Sequence, residues 1–174
     1  MKKRNTNLID VEIDKLINSI ENCLTGEIFE TEITQISIKD SRFIHKADWQ
    51  FDWNKELRDN SKNVFKLNTL HNQSIIHGLL SIEDKSDHIF MHLIESAKFN
   101  KGKSKLYYGV PANLVAFACK VSFDLGYDGF VAFDSKSVLI KHYEQSLGAT
   151  HFKGLRMFIE IEAAFKLINR YFKN

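Results

Sequence analysis

A chain of 174 residues, 44% of them hydrophobic, can fill one substantial core and is too short for two ordinary domains. Its formal charge of +2, from 24 basic and 22 acidic side chains, excludes a global pull toward nucleic acid or an anionic membrane. One proline and 8 glycines leave little material for linkers or low-complexity tails, so a single domain over residues 1–174 is expected.

The start, Met1-Lys2-Lys3-Arg4, runs into polar residues without an apolar stretch, unlike a secretory signal. No apolar run approaches the roughly 20 residues needed to span a bilayer. A cytoplasmic protein is expected, with Cys23 and Cys119 as free thiols rather than a disulfide.

Taken in chain order, Ile13, Leu16, Ile17, Ile20 and Leu24 recur at helical spacing before Gly26, which predicts an N-terminal helix within residues 1–26. A strand is expected over Glu27–Ile38. Lys39–Lys62, with Trp49, Phe51 and Trp53, reads as short helices and loops. Val64–Leu70 and Ser74–Ile82 flank His71-Asn72-Gln73 as a hairpin, and His88–Ser96 follows the polar turn Glu83–Asp87. The second and third of these runs are apolar on both faces, as in a sheet covered on both sides. A helix then uses Leu114, Phe117, Ala118, Val121 and Leu125, closed by Gly126. The chain continues with a strand at Gly129–Phe133, a helix at about 137–147 ended by Gly148, a strand at Arg156–Ile161, and a C-terminal helix from about 162 to 174.

The chemistry concentrates between His88 and Ala149. A strand ends at Ile94-Glu95-Ser96, and a loop carrying Lys101, Lys103 and Lys105 leads to Gly109-Val110-Pro111-Ala112-Asn113-Leu114. Proline suits the first turn of a helix, where its missing N–H would have no partner. A helix N-terminus after a basic, glycine-bearing loop can hold a diphosphate. An ordinary strand–loop–helix joint with solvated lysines has the same appearance.

Further on, Tyr143-Glu144-Gln145-Ser146-Leu147-Gly148 resembles the signature that closes the fourth helix of the GNAT N-acetyltransferase superfamily. Gly109–Leu114 falls where that family has its pyrophosphate loop, usually written [QR]-x-x-G-x-[GA]. Leu106 replaces the opening Gln or Arg, and Pro111 the last small residue. Lys136 stands where many relatives carry an asparagine that bonds the pantetheine arm, and Ala149 replaces a frequent phenylalanine. Because Pro111 donates no hydrogen bond, Ala112, Asn113 and Leu114 are expected to supply the amides.

The resemblance implies an α/β (α+β) fold. Its mixed, mostly antiparallel central sheet would carry helices on both faces, with extra helices at the N- and C-termini. It implies acetyl-coenzyme A as cosubstrate and a primary amine, on a small molecule or a protein, as acceptor. A GNAT-like module that binds acyl-coenzyme A without turnover is the alternative. The cofactor-binding residues it implies are Leu93, Ile94, Glu95, Lys103, Lys105, Gly109, Val110, Ala112, Asn113, Leu114 and Lys136. Tyr143 matches the acid that protonates the leaving thiolate, although its apolar stripe with Leu139 and Leu147 also suits a core residue. The base stays open among Glu95, His92, Glu83 and water, with Glu95 the named candidate. Trp49, Phe51 and Trp53 fall where the family builds its acceptor wall, and they equally suit an anchor for an irregular segment. No metal-ligand spacing occurs, and neither a nucleic-acid nor a membrane partner is expected. GNAT proteins are often dimers, which leaves a homodimer open.

Overall fold

The computed structural model describes residues 7–172. Met1–Arg4, read above for targeting, lies outside the described residues. The main sheet has seven strands: β3 (Thr31–Ile36), β4 (Asn63–Thr69), β5 (Gly78–Asp84), β6 (Ile89–Ser96), β8 (Val131–Asp134), β9 (Thr150–Lys153) and β10 (Arg156–Ile159). Their spatial order is β3-β4-β5-β6-β8-β10-β9. All neighbours run antiparallel except β6 and β8, which are joined through the crossover helix α2 (Val110–Asp124). A small second sheet pairs β1 (Ile20–Asn22) with β2 (Ile28–Phe29) and β7 (Tyr107–Tyr108).

β5 and β6 are apolar on both faces because both are covered. On one face Leu67, Leu80, Ile82, Met91 and Phe133 share a core with α2, α3 (Ile140–Leu147) and α4 (Ile161–Tyr171). On the other, Val64, Leu79 and Leu93 pack under Trp49 and Trp53, the latter opening α1 (Trp53–Arg58). The aromatic residues of the polar segment therefore anchor it to the sheet. Asp52 caps α1 by accepting from the Lys55 N–H, and Gly148 ends α3 in the left-handed conformation expected of it.

Four expectations need correction. The described part of residues 1–26 contains no helix: residues 10–19 are irregular, and residues 20–22 form β1. Alternation wins here over the helical spacing, because Ile9 and Ile13 are buried while Glu12 is exposed. The hairpin after Leu70 has a longer loop, since β5 begins only at Gly78. The strand expected over Glu27–Ile38 is two strands, β2 and β3, the second ending at Ile36. The final strand stops at Ile159 and α4 starts at Ile161, while β9 had no counterpart in the sequence reading. Both cysteines are free thiols; Cys119 is fully buried, and desolvation pushes its thiol up to about 12. Among the described residues no helix is long and apolar enough to cross a membrane.

Candidate functional site

β6 and β8 pair only over Ile89–Met91 and Val131–Phe133. Beyond Met91, β6 stays bound to β5 as far as Ser96, whereas β8 turns away with β10. The two strands thus open a wedge in the middle of the sheet, with α2 starting at its mouth. A cavity of about 280 Å³ lies there, bordered by Ile94, Glu95, Ser96, Lys101, Lys105 and Pro111.

The wedge is threaded by the chain's own N-terminal segment. Ile9 pairs with Ser135: its N–H donates to the Asp134 carbonyl at 2.8 Å, and its carbonyl accepts from the Lys136 N–H at 3.0 Å. The Tyr143 hydroxyl donates to the Val11 carbonyl. Ile13 N–H donates to His142 Nε2 at 2.8 Å, which needs that nitrogen unprotonated. The Asp14 carboxylate then accepts from the Gly109 N–H and from Lys105 Nζ, each at 3.0 Å.

Gly109 has φ +99°, where an L side chain is strained. A Cβ there would also stand 2.8 Å from the Ser19 carbonyl oxygen and 3.0 Å from Ile17 Cγ1, so residues 17–19 close over the start of α2. Asn113 completes that cover: its amide donates to the carbonyls of Ser19 and Gly109, each at 2.7 Å. The expected cofactor residues Val110, Ala112, Asn113 and Leu114 are all buried, as are Leu93 and Ile94. Lys105 meets Asp14 of this N-terminal strap, residues 7–19, Lys136 meets Ile9 of the strap through its backbone, and Lys103 is exposed.

Glu95 is 2% exposed and its carboxylate is fully engaged. It accepts from Gln50 N–H at 2.7 Å, Phe51 N–H at 3.2 Å, Trp53 Nε1 at 2.9 Å and Lys101 Nζ at 2.9 Å. It ties the aromatic segment to β6. His92 and Glu83 meet directly, Nε2 to Oε1 at 2.8 Å, on the opposite face from α2. Burial pulls the His92 imidazole below its ordinary value, and the Lys85 ammonium's hydrogen bond holds the Glu83 carboxyl below the usual carboxylate range. An open hollow beside them is lined by Asn7, Leu8, His88, His92, Asp134 and Arg156. Tyr143 is fully buried against Phe133, and burial raises its hydroxyl well above the ordinary tyrosine value, so it stays protonated. Sequence reasoning missed Asp14 and His142; the alternation of Ile9, Val11 and Ile13 with Asp10, Glu12 and Asp14 is the signal that would have exposed the strap.

No protein-family model and no curated protein matches the sequence. Solved structures do match. A spermidine/spermine N-acetyltransferase from Vibrio cholerae superposes with a TM-score of 0.52 at 17% identity, over 79% of this chain and 98% of that one. A streptothricin acetyltransferase from Bacillus anthracis, in complex with acetyl coenzyme A, gives 0.52 at 10% identity, over 75% and 98%. An acyl-CoA N-acyltransferase from Pseudomonas aeruginosa gives 0.51 at 10% identity, over 74% and 99%. The fold is that of the GNAT acetyltransferases. Within the GNAT fold of this chain, the splayed parallel pair β6–β8 and the crossover into α2 come from the residues that carried the resemblance.

Coenzyme A is tested against this wedge by the groups that fill it. An anionic carboxylate, Asp14, takes the Gly109 amide and Lys105 at the start of α2, and backbone amide groups at Ile9 and Val11 are paired deeper in. A donor set that satisfies a carboxylate followed by amides suits a diphosphate followed by an amide-bearing arm. The residues fit the group.

Proposed function

We propose that this chain is an acyl-coenzyme A-dependent N-acyltransferase that moves an acetyl group to a primary amine. The observation that carries the reading is the β6–β8 wedge, with an anion-accepting amide at Gly109 on one side and the buried, protonated Tyr143 hydroxyl on the other. Acetyl-coenzyme A would supply an activated thioester carbonyl. In this reading Gly109 N–H, Lys105 and Lys101 hold its diphosphate, and the freed edges of Leu93–Ser96 and Ser135–Lys136 hold its arm. Tyr143, protonated at neutral pH, would offer its hydroxyl hydrogen to the leaving sulfur; burial makes it a weak acid, so its contribution is that of a hydrogen-bond donor at the small end of acid catalysis. His92, held by Glu83, takes the proton of the acceptor ammonium, its lowered pKa keeping the imidazole neutral and able to accept it. Glu95 acts as an anchor: four donors leave its carboxylate no free lone pair toward a substrate.

The acceptor would approach the hollow beside His92, whose rim carries Asp134 together with Lys85, Lys153 and Arg156, so His92 rather than the charge of the rim selects the amine. Two free thiols suit a reducing, cytoplasmic setting. The filled wedge favours a second reading, a module that binds acyl-coenzyme A without turning it over.

Release of free thiol from acetyl-coenzyme A, measured against polyamines, aminoglycosides and lysine peptides, separates the two. Tyr143→Phe should lower kcat roughly 10- to 100-fold, the low end of general-acid effects, because a thiol is a fair leaving group. An unchanged kcat, with chemistry rate-limiting, would reduce Tyr143 to a packing residue.

A further inference from the structure

We propose that residues 7–19 are a displaceable strap, and that the wedge binds acyl-coenzyme A only in exchange for it. This rests on the functional reading above and adds a built-in competitor to it.

The strap follows the path the ligand needs from end to end. Asp14 occupies the Gly109 amide and Lys105. Val11 holds the Tyr143 hydroxyl, so the proton assigned to the leaving sulfur is donated to a carbonyl of the chain itself. Ile9 takes the free edge at Ser135–Lys136, and Asn7 ends on the far face, its amide donating to Glu56 Oε1 at 3.2 Å. Ligand and strap cannot share these partners.

The strap is also attached as a removable piece would be. It joins the main sheet through a single bridge, Ile9 to Ser135, and contributes no strand to it. Its acids alternate as Asp10, Glu12 and Asp14, and Asp10 lies within the field of Lys136 and Lys101. Burial lifts the Asp10 carboxyl above its ordinary value, which is a cost of keeping the strap inside. A diphosphate brings more negative charge to the same lysines than one carboxylate does. Opposing release, Ile9 and Ile13 are buried and must be exposed, which makes the closed state the resting one. Apparent affinity is then the intrinsic affinity reduced by the fraction of molecules that are open.

Hydrogen exchange on the whole chain, with and without free coenzyme A, reads the switch directly. The Ile9 and Ile13 amides, protected by Asp134 and His142 in the closed state, should exchange at least tenfold faster at saturating coenzyme A. The Gly109 amide should stay protected, having traded Asp14 for the ligand. Asp14→Ala should tighten coenzyme A binding about tenfold, the scale of one charge-assisted hydrogen bond. Saturable binding with Ile9 and Ile13 still protected would overturn the strap and leave the acyltransferase reading standing. No binding by either protein would overturn both.

Discussion

Residues 88–149 and residues 7–29 differ in what holds their backbones. The first region is built from long elements whose partners lie close in sequence: β6, α2, β8 and α3 follow one another and pack together. The second has short strands of two and three residues, and outside its local β1–β2 turn the bonds that seat it in the wedge reach far along the chain, to Gly109, Asn113, Asp134 and His142. Local pattern determines the first kind of region. Tertiary context determines the second, where a helix-like spacing of Ile13, Leu16, Ile17 and Ile20 yields to what the wedge can accept.

The largest expected effect tests that difference by stability. Phe133, fully buried in β8 against Tyr143, should cost about 3–5 kcal/mol when truncated to alanine. Ile9 is 2% exposed, so burial alone would predict a loss of similar rank. If the strap opens separately, Ile9→Ala should cost only about 1–2 kcal/mol in urea unfolding, because local opening caps what its burial contributes. Equal losses would make residues 7–19 part of the core.

The same contrast explains what the sequence revealed. Glycine punctuation at Gly126 and Gly148, Pro111 in the first turn of α2, and the two-faced apolar runs of β5 and β6 were legible because each reports on its own neighbourhood. Tyr143 and Gly109 could be singled out for the same reason. β9 was invisible because it is an edge strand with all four residues exposed, and nothing alternates along it. Asp14 was illegible as a site residue because its partners, Lys105 and Gly109, sit 91 and 95 positions away. Glu95 read as a base since a carboxylate at a strand end is all the sequence displays; its four donors come from residues 50, 51, 53 and 101.

A smaller effect sharpens the comparison from the rigid side. His77, just before β5, is 3% exposed, and burial holds its imidazole at about 4 against an ordinary value of 6.5. The folded state therefore keeps it neutral while the unfolded chain takes up a proton. Its contribution is complete above about pH 6.5 and is lost as pH falls through 4, on the order of 3 kcal/mol in all. Urea midpoints measured between pH 4 and 7 should show this slope, and His77→Gln should flatten it. An unaltered slope in the variant would assign the acid sensitivity elsewhere, with Glu83, whose carboxyl is held low by Lys85, the first group to examine.

The most direct test of the account is a calorimetric titration of the chain with coenzyme A. The account predicts saturable binding of one ligand per chain, with a negative heat-capacity change smaller than the ligand's own burial requires, because Ile9 and Ile13 become exposed as it enters. The absence of any saturable heat at millimolar coenzyme A would contradict it, and the wedge would then be a structural seam that residues 7–19 fill permanently.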